Sequence, residues 1–232
     1  MSETMPPPPA SPPPPGAPPP AAPPPPPGAP PPYAAPPPSG GSGGGFEIGA
    51  ILQQSWEIFV KDATPWVVVS LIHAAIYIFT FGFGLFVLGP LFGGMVIMAF
   101  KGIHGQSPTI EDGFAGFKEH LMQLLLAGIV VLIGVTIGLF LCILPGVYLA
   151  IAWAFTFHLI VDRRMDFGQA MMASMKMVNS RFGEVVILLL VFGIINAVGS
   201  SVVIGFVITQ PLMMIGLTLA YRKLFAGGQA AA

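Results

Sequence analysis

The hydrophobic pattern of this chain predicts six membrane spans, and all of its basic residues lie in segments on one side of the predicted membrane. The nine lysines and arginines lie before span 1, between spans 2 and 3, between spans 4 and 5, and after span 6: Lys61, Lys101, Lys118, Arg163, Arg164, Lys176, Arg181, Arg222 and Lys223. The other three connections carry no charge. Because loops rich in Lys and Arg stay in the cytoplasm, this asymmetry predicts that both termini are cytoplasmic.

The hydrophobic segments predict an all-α integral membrane protein. The six predicted spans cover residues 64–82, 83–100, 120–141, 145–161, 184–200 and 201–221. Only 8% of the residues are charged, against about 25% in a typical soluble domain, so most of the chain has to lie in lipid. The outer connections are so short that the spans are expected to form three tight antiparallel hairpins. Turns are expected at Gly82 and Gly84, at Pro145-Gly146, and at residues 199–201.

Each hairpin follows a cytoplasmic segment with the spacing of an amphipathic helix. Before span 1, one face holds Ile48, Ile51, Leu52, Ser55 and Phe59. Between spans 2 and 3, Thr109-x-x-Asp112 offers a capping box, in which side chain and backbone bond reciprocally at a helix start. Between spans 4 and 5, Phe167, Met171, Met175 and Val178 form a third apolar stripe. These three helices are predicted to lie in the interfacial plane of the membrane.

Residues 1–45 are predicted to form a disordered cytoplasmic tail, ahead of a membrane domain over 46–225 and a short cytoplasmic C-terminal tail over 226–232. Residues 6–38 hold 22 of the 27 prolines, which favours polyproline II over a helix or a sheet. The tail is either a solvated spacer or a docking site for a cytoplasmic protein. Pro30-Pro31-Pro32-Tyr33 fits the P-P-x-Y pattern that WW domains bind.

Neutral polar residues inside the predicted spans form a candidate intramembrane cluster. Three of them, His73, Tyr77 and Thr80, are spaced to share one face of span 1, and Asn196 and Gln210 lie in spans 5 and 6. The cluster either lines a small polar cavity, with His73 as the binding residue, or holds the helices together by hydrogen bonds. No Asp, Glu, Lys or Arg lies in the interior of a predicted span, which argues against an ion-coupled transporter.

Arg163 and Arg164 end the fourth predicted span and are candidate contacts for lipid headgroups, because arginines at this depth attract phosphates. The alternative is that they are only the charged anchor that ends the span.

The net charge of −1 offers no footprint for nucleic acid. Metalloprotease, nucleophile-elbow and phosphate-loop motifs do not occur in the sequence, so no catalytic residue, metal or cofactor is expected.

The first and last hairpins align at a constant offset of 121 residues, as between Pro90 and Pro211, which favours an internal duplication. A further set of residues carries a family resemblance: Trp56, Phe59, Gly89-Pro90-Leu91, Pro145-Gly146, Asp162, Ala170 and Ser174. In these residues, over about 46–225, the chain resembles bacterial six-helix membrane proteins of the YciC-like family and the membrane domain attached to some glycerophosphodiester phosphodiesterases. The resemblance implies a membrane location and no particular activity, since the phosphodiesterase barrel is missing from this chain.

Two functions are compatible with these observations. The leading hypothesis is a non-enzymatic protein of the bacterial inner membrane, which serves as a scaffold or accessory and contacts membrane lipids or partner proteins. The alternative is a transporter, channel or lipid-translocating protein built on repeats, with a neutral polar path near His73. An embedded enzyme would need a partner to supply catalytic groups.

Overall fold

The computed structural model describes residues 47–79, 87–201 and 203–229, and this part of the chain contains α-helices and one short 3₁₀ turn. The predicted proline-rich tail and the predicted turn at Gly82 and Gly84 lie outside the described residues. The helices are α1 Ile48–Lys61, α2 Ala63–Phe79, α3 Leu88–Ile103, α4 Gly116–Glu119, α5 Leu121–Leu141, α6 Ile143–Ala152, α7 Thr156–Arg163, α8 Phe167–Ser180, α9 Phe182–Ser200 and α10 Val203–Gln229. The 3₁₀ turn covers Asp112–Phe114.

Three helical segments in the described part are long and apolar enough to cross a membrane: Leu121–Leu141, Ile143–Arg163 and Phe182–Ser200. There are four if α1 and α2, which meet at a bend of 95°, count as one broken span. Helix α3 is apolar but has only 16 residues, fewer than the roughly 20 that span a bilayer core. Helix α10 has 27 residues but is less apolar, because it includes Gln210, Pro211 and the charged residues near its end.

The fourth predicted span differs from the expectation in two ways. The connection from α5 is Cys142 alone, in an extended conformation, so Pro145 and Gly146 lie in the first turn of α6 and do not form the turn. Proline is accepted there because the first-turn N–H groups have no partner within the helix. The span is also interrupted, because residues 153–155 form a turn between α6 and α7. Hydropathy alone predicts a continuous helix and does not detect this break.

Helix α1 confirms the amphipathic face that the sequence predicts before span 1. Ile51, Ser55 and Phe59 are buried on one side, and α1 packs against α10. The Ser55 hydroxyl donates to the Ile51 carbonyl oxygen at 2.7 Å, so this polar side chain is satisfied within its own helix. The sharp bend into α2 then turns the chain away from the direction of α1.

The segment between α3 and α5 is not the single amphipathic helix that the sequence predicts. It consists of the 3₁₀ turn and the four-residue α4, and it lies between α2 and α3. Gly113 is placed between Val69 of α2 and Met98 of α3, while Gly94 of α3 faces the Gly113 carbonyl. Glycines bring these backbones so close that a regular helix with side chains on every face could not occupy the same space.

The capping box within this segment is confirmed. The Thr109 N–H donates to Asp112 Oδ2 at 2.8 Å, and the Asp112 N–H donates to Thr109 Oγ1 at 3.4 Å. Lys101 Nζ at the end of α3 lies 2.7 Å from Asp112 Oδ1. Burial raises the pKa of Asp112, but the bonds from Lys101 and Thr109 outweigh burial, so the pKa is lowered. Asp112 therefore ties the segment to the end of α3 as a carboxylate.

Two pairs of neighbouring helices, α5 with α6 and α9 with α10, pack along each other. Helix α9 packs along α10, and α8 packs against α5, α6 and α7 with Ala170, Ser174 and Val178 buried. Helices α1, α2 and α3 also pack against α10. Helix α5 packs along α6, and Gly138 and Gly146 allow their backbones to meet.

Candidate functional site

Two residues of the predicted polar cluster, His73 and Gln210, lie on helices that pack against each other, α2 and α10. The Tyr77 ring of α2 contacts the Phe206 ring near the start of α10, with centroids 6.2 Å apart. Both side chains are buried, His73 fully and Gln210 with 5% of its surface exposed.

These buried polar groups lack hydrogen-bond partners within residues 47–79, 87–201 and 203–229. Both ring nitrogens of His73 and Oε1 of Gln210 are without one. Ser70, one turn before His73, adds a third buried polar side chain, whose hydroxyl also lacks a partner within the described residues. The nearest aromatic ring to His73 that the structure gives is Phe114, edge-on at 6.1 Å. Such groups are costly to bury unpaired, so this is a polar site in otherwise apolar surroundings.

Asn196 of α9 is hydrogen-bonded to α10. Its Oδ1 accepts a hydrogen bond of 3.0 Å from Thr209 Oγ1, which joins α9 to α10. Close packing supports this bond, because a side chain at Gly199 would meet the Thr209 side chain. The structure therefore divides the predicted cluster into an α2–α10 part and an α9–α10 part. The remaining member, Thr80, lies outside the described residues.

Arg163 and Arg164 are both exposed at the end of α7. Arg163 Nε lies 3.3 Å from Asp162 Oδ2, and the same oxygen accepts a bond of 2.7 Å from the Tyr221 hydroxyl of α10. Arg164 adopts a left-handed conformation, φ 52°, and ends the helix. The bond between Tyr221 and Asp162 attaches the end of α7 to α10. The two arginines beside it are exposed, as contact with a lipid phosphate requires.

A cavity of about 340 Å³ lies between the α5–α6 pair and the α9–α10 pair, next to the break between α6 and α7. Apart from Thr136 and His158, its wall consists of glycine, aliphatic, aromatic and methionine side chains. Helices on several sides contribute, and examples are Phe92, Val135, Trp153, Leu189 and Met213. Thr136 and Ala150 are exposed, so the cavity reaches the surface of the bundle beside α5 and α6. It can accommodate an apolar molecule.

His158 in the wall of this cavity packs against α10. Its ring stacks on Tyr221 with centroids 5.5 Å apart. Its Nε2 lies 3.1 Å from Thr218 Oγ1, and that hydroxyl donates its proton to the Met214 carbonyl at 2.7 Å. The contact between His158 and Thr218 joins α7 to α10. Nδ1 is buried without a partner in the described part of the chain.

Ser174 of α8 forms hydrogen bonds with the backbone at the helix break. Its hydroxyl accepts a bond of 3.2 Å from the Phe155 N–H and donates one of 2.8 Å to the Ala152 carbonyl. One side chain thus replaces the helical hydrogen bonding that is lost where α6 ends and α7 begins. Side chains and neighbouring helices commonly satisfy backbone groups at such breaks within membranes.

Sequence reasoning did not identify the cavity, the role of Ser174 or the pairing of His158 with Thr218. Their partners are 19 to 60 positions apart in the chain, so no local spacing indicates them. Among the described residues, no group of three or more His, Cys, Asp or Glu side chains is placed to hold a metal. A scan against protein-family models and searches of curated proteins and solved structures find no match.

Proposed function

We propose that this chain is a non-enzymatic, multi-pass protein of the bacterial inner membrane, which acts as a scaffold or accessory in contact with lipids and partner proteins. The observation that carries the proposal is the large apolar surface of its longest apolar helices. Only 17% to 39% of their most apolar stretches is buried in the bundle. Exposed side chains include Phe140, Leu141, Leu144 and Val198, at 89%, 80%, 78% and 71%. Lipid is the solvent that accepts such a surface.

The proposed topology has six spans with both termini in the cytoplasm. Helix α2, helix α3, helix α5, the α6–α7 pair, helix α9 and helix α10 would be these spans. Helix α3 is short for this role, which a locally thin bilayer or tilted neighbours can accommodate. The distribution of lysine and arginine supports the orientation. Membership of the YciC-like family is part of this proposal and rests on the residues named for the resemblance.

The hydrogen bonds that the polar residues make between helices favour a scaffold role over a polar transport path. Asn196 bonds to Thr209 and His158 to Thr218, so these side chains join helices. Each such bond stabilises a membrane bundle by about 0.6 to 2 kcal/mol. Lipid handling is the second candidate, and the observation that favours it is the apolar cavity between the two helix pairs.

The topology predicts opposite labelling of two cysteines. Cys142 is the only cysteine, is exposed, and lies between α5 and α6, so we expect a membrane-impermeant maleimide to label it in intact spheroplasts. In a Cys142→Ser background, a cysteine introduced by Ser107→Cys should react only after lysis. Ser107 is exposed, so burial would not explain a failure to react. Labelling of the Ser107→Cys variant in intact spheroplasts would show that the orientation is wrong.

The scaffold role predicts that partners are recovered through residues 1–45. We expect quantitative cross-linking in cells to recover a reproducible protein partner with the full chain and at least tenfold less of it after deletion of the tail. A chain with the tail replaced by a glycine-serine linker of equal length is the matched control for membrane insertion. Equal recovery by all three proteins would contradict the role of the tail and leave lipid handling as the better function.

A further inference from the structure

The cavity between the α5–α6 and α9–α10 pairs has the size of a site for part of one aliphatic chain. Apolar cavities of about half this volume already stay dry and bind small hydrocarbons. At about 340 Å³ the cavity has room for roughly ten methylene groups, if each takes about the 30 Å³ that a water occupies in the liquid. Phe92 and Phe157, whose stacked rings have centroids 5.9 Å apart, form a flat apolar part of its wall.

The helix break lies in the cavity wall, but its backbone donors are already used. Trp153 and Ala154 of the turn line the cavity, and their N–H groups donate to carbonyl oxygens of α6 at 3.0 and 3.2 Å. The next N–H, that of Phe155, donates to the Ser174 hydroxyl. Interrupted helices of transporters bind ions and charged substrates through unpaired backbone groups. Because the N–H groups of this break have partners within the protein, the break favours an apolar ligand.

The side chains of the wall also favour an apolar ligand. Three of them contain a nitrogen or oxygen atom: Thr136, Trp153 and His158. Thr136 is exposed at the rim, and His158 is 1% exposed with its Nε2 on Thr218. Trp153 turns its six-membered ring toward α5, where Gly134 leaves room for it. The rest of the wall is hydrocarbon, thioether and backbone, so it suits a hydrocarbon chain better than a polar group that would lack a partner.

The opening of the cavity lies at the depth of lipid chains. Its exposed rim residues are Thr136 of α5 and Ala150 of α6. Helix α5 ends at Leu141 and α6 begins at Ile143, so the rim lies about 7 to 11 Å from this corner along the helix axes. One leaflet contributes about 15 Å to the hydrocarbon core, and the rim falls within that distance. Ile137, next to Thr136, is 54% exposed, so this part of α5 is open to lipid.

We infer that this cavity holds one acyl chain of a bilayer phospholipid. The chain enters from the side past Thr136 and Ala150 and lies against Phe92 and Trp153, while the headgroup stays outside the bundle. A free fatty acid has the same chain chemistry, and the mass of the bound molecule distinguishes the two sources. The inference rests on the proposed membrane location but is independent of the scaffold role.

The test uses the full chain with photo-methionine in place of methionine, irradiated in phospholipid nanodiscs and analysed by mass spectrometry. Met214 lines the cavity and is 5% exposed, so bilayer lipid reaches it only through the cavity. Met95 and Met98 of α3 are fully buried away from the cavity wall, and Met122 of α5 is 64% exposed. We expect phospholipid adducts at Met214 and Met122. Adducts at Met95 and Met98 should be about tenfold fewer, because the close-packed interior leaves no room for a chain there.

A rim substitution tests the route into the cavity. Ala150→Trp should lower the ratio of adducts at Met214 to adducts at Met122 by about fivefold, because an indole fills the opening. The matched control is Ala197→Trp, at an exposed position of α9 outside the cavity wall, which should leave this ratio unchanged. An unchanged ratio in Ala150→Trp would show that the chain does not enter past this rim.

The native sequence alone also decides the inference, so the test does not depend on the folding of a variant. Adducts at Met122 without adducts at Met214, or as many at Met95 and Met98 as at Met214, would overturn it. Adducts at Met214 that have the mass of a detergent or a free fatty acid would show that the occupant is not a bilayer phospholipid. Absence of adducts at Met122 and Met214 alike would instead contradict the membrane location on which the inference rests.

Discussion

Replacing Gly94 by alanine is expected to destabilise the protein by about 3 kcal/mol, at the upper end of the usual cost of overpacking. A Cβ at this position of α3 would collide with the carbonyl of Gly113, which is backbone and cannot rotate aside. The 3₁₀ turn would have to move away from α3. That movement would also strain the Lys101–Asp112 ion pair, which fastens the same segment. The substitution therefore tests whether this segment lies between α2 and α3.

The measurement is the melting temperature in a mild detergent, followed by tryptophan fluorescence. A loss of about 3 kcal/mol lowers the melting temperature by about 6 to 12 °C for a domain of this size. The matched control is Gly193→Ala in the middle of α9, where an added Cβ meets no atom within 4 Å. It should stabilise the protein by about 0.5 to 1 kcal/mol, because alanine favours a helix. Equal effects of the two substitutions would contradict the close contact.

Ser174→Ala is expected to have a comparable effect for a different reason. It removes both bonds at the helix break and leaves the buried Phe155 N–H without its partner, at a cost of about 1 to 3 kcal/mol. The protein should melt about 2 to 12 °C lower, and the emission of the adjacent Trp153 should change.

Ser180→Ala is the control on the same helix. The Ser180 hydroxyl is exposed and donates only to the Met177 carbonyl three residues earlier, so its loss should shift the melting temperature by about 2 °C or less. If Ser174→Ala and Ser180→Ala melted at the same temperature, the two hydrogen bonds of Ser174 would not be stabilising the break between α6 and α7. Ser174→Thr keeps the hydroxyl and should restore part of the stability if the extra methyl group fits.

Local patterns predicted much of the helical framework. The face of α1 follows from the spacing of Ile51, Ser55 and Phe59, and the reciprocal bonds of Thr109 and Asp112 follow from a spacing of three residues. Both depend on contacts within one or two turns, which the order of residues determines directly. The apolar helices α5 and α9 follow from long uncharged stretches for the same reason.

The polar cluster shows where local reasoning stops. Helical spacing identified His73 and Tyr77 as neighbours, but it could not tell that Tyr77 meets Phe206 of α10 or that Thr209 bonds to Asn196 of α9. Successive residues of a helix point about 100° apart, so the packing of the neighbouring helices decides which partner each one meets.

By itself the sequence determined the helical class, the long apolar segments, and the caps and helix faces that depend on residues close together in the chain. Only the tertiary structure decided the break at residues 153–155, the placement of the 3₁₀ turn between α2 and α3, and the cavity beside His158. Each of these arises where residues distant in the chain meet, as Ser174 meets Phe155 and Gly113 meets Gly94. Hydropathy and periodicity describe one helix at a time, whereas shape complementarity between helices is a property of the packed bundle.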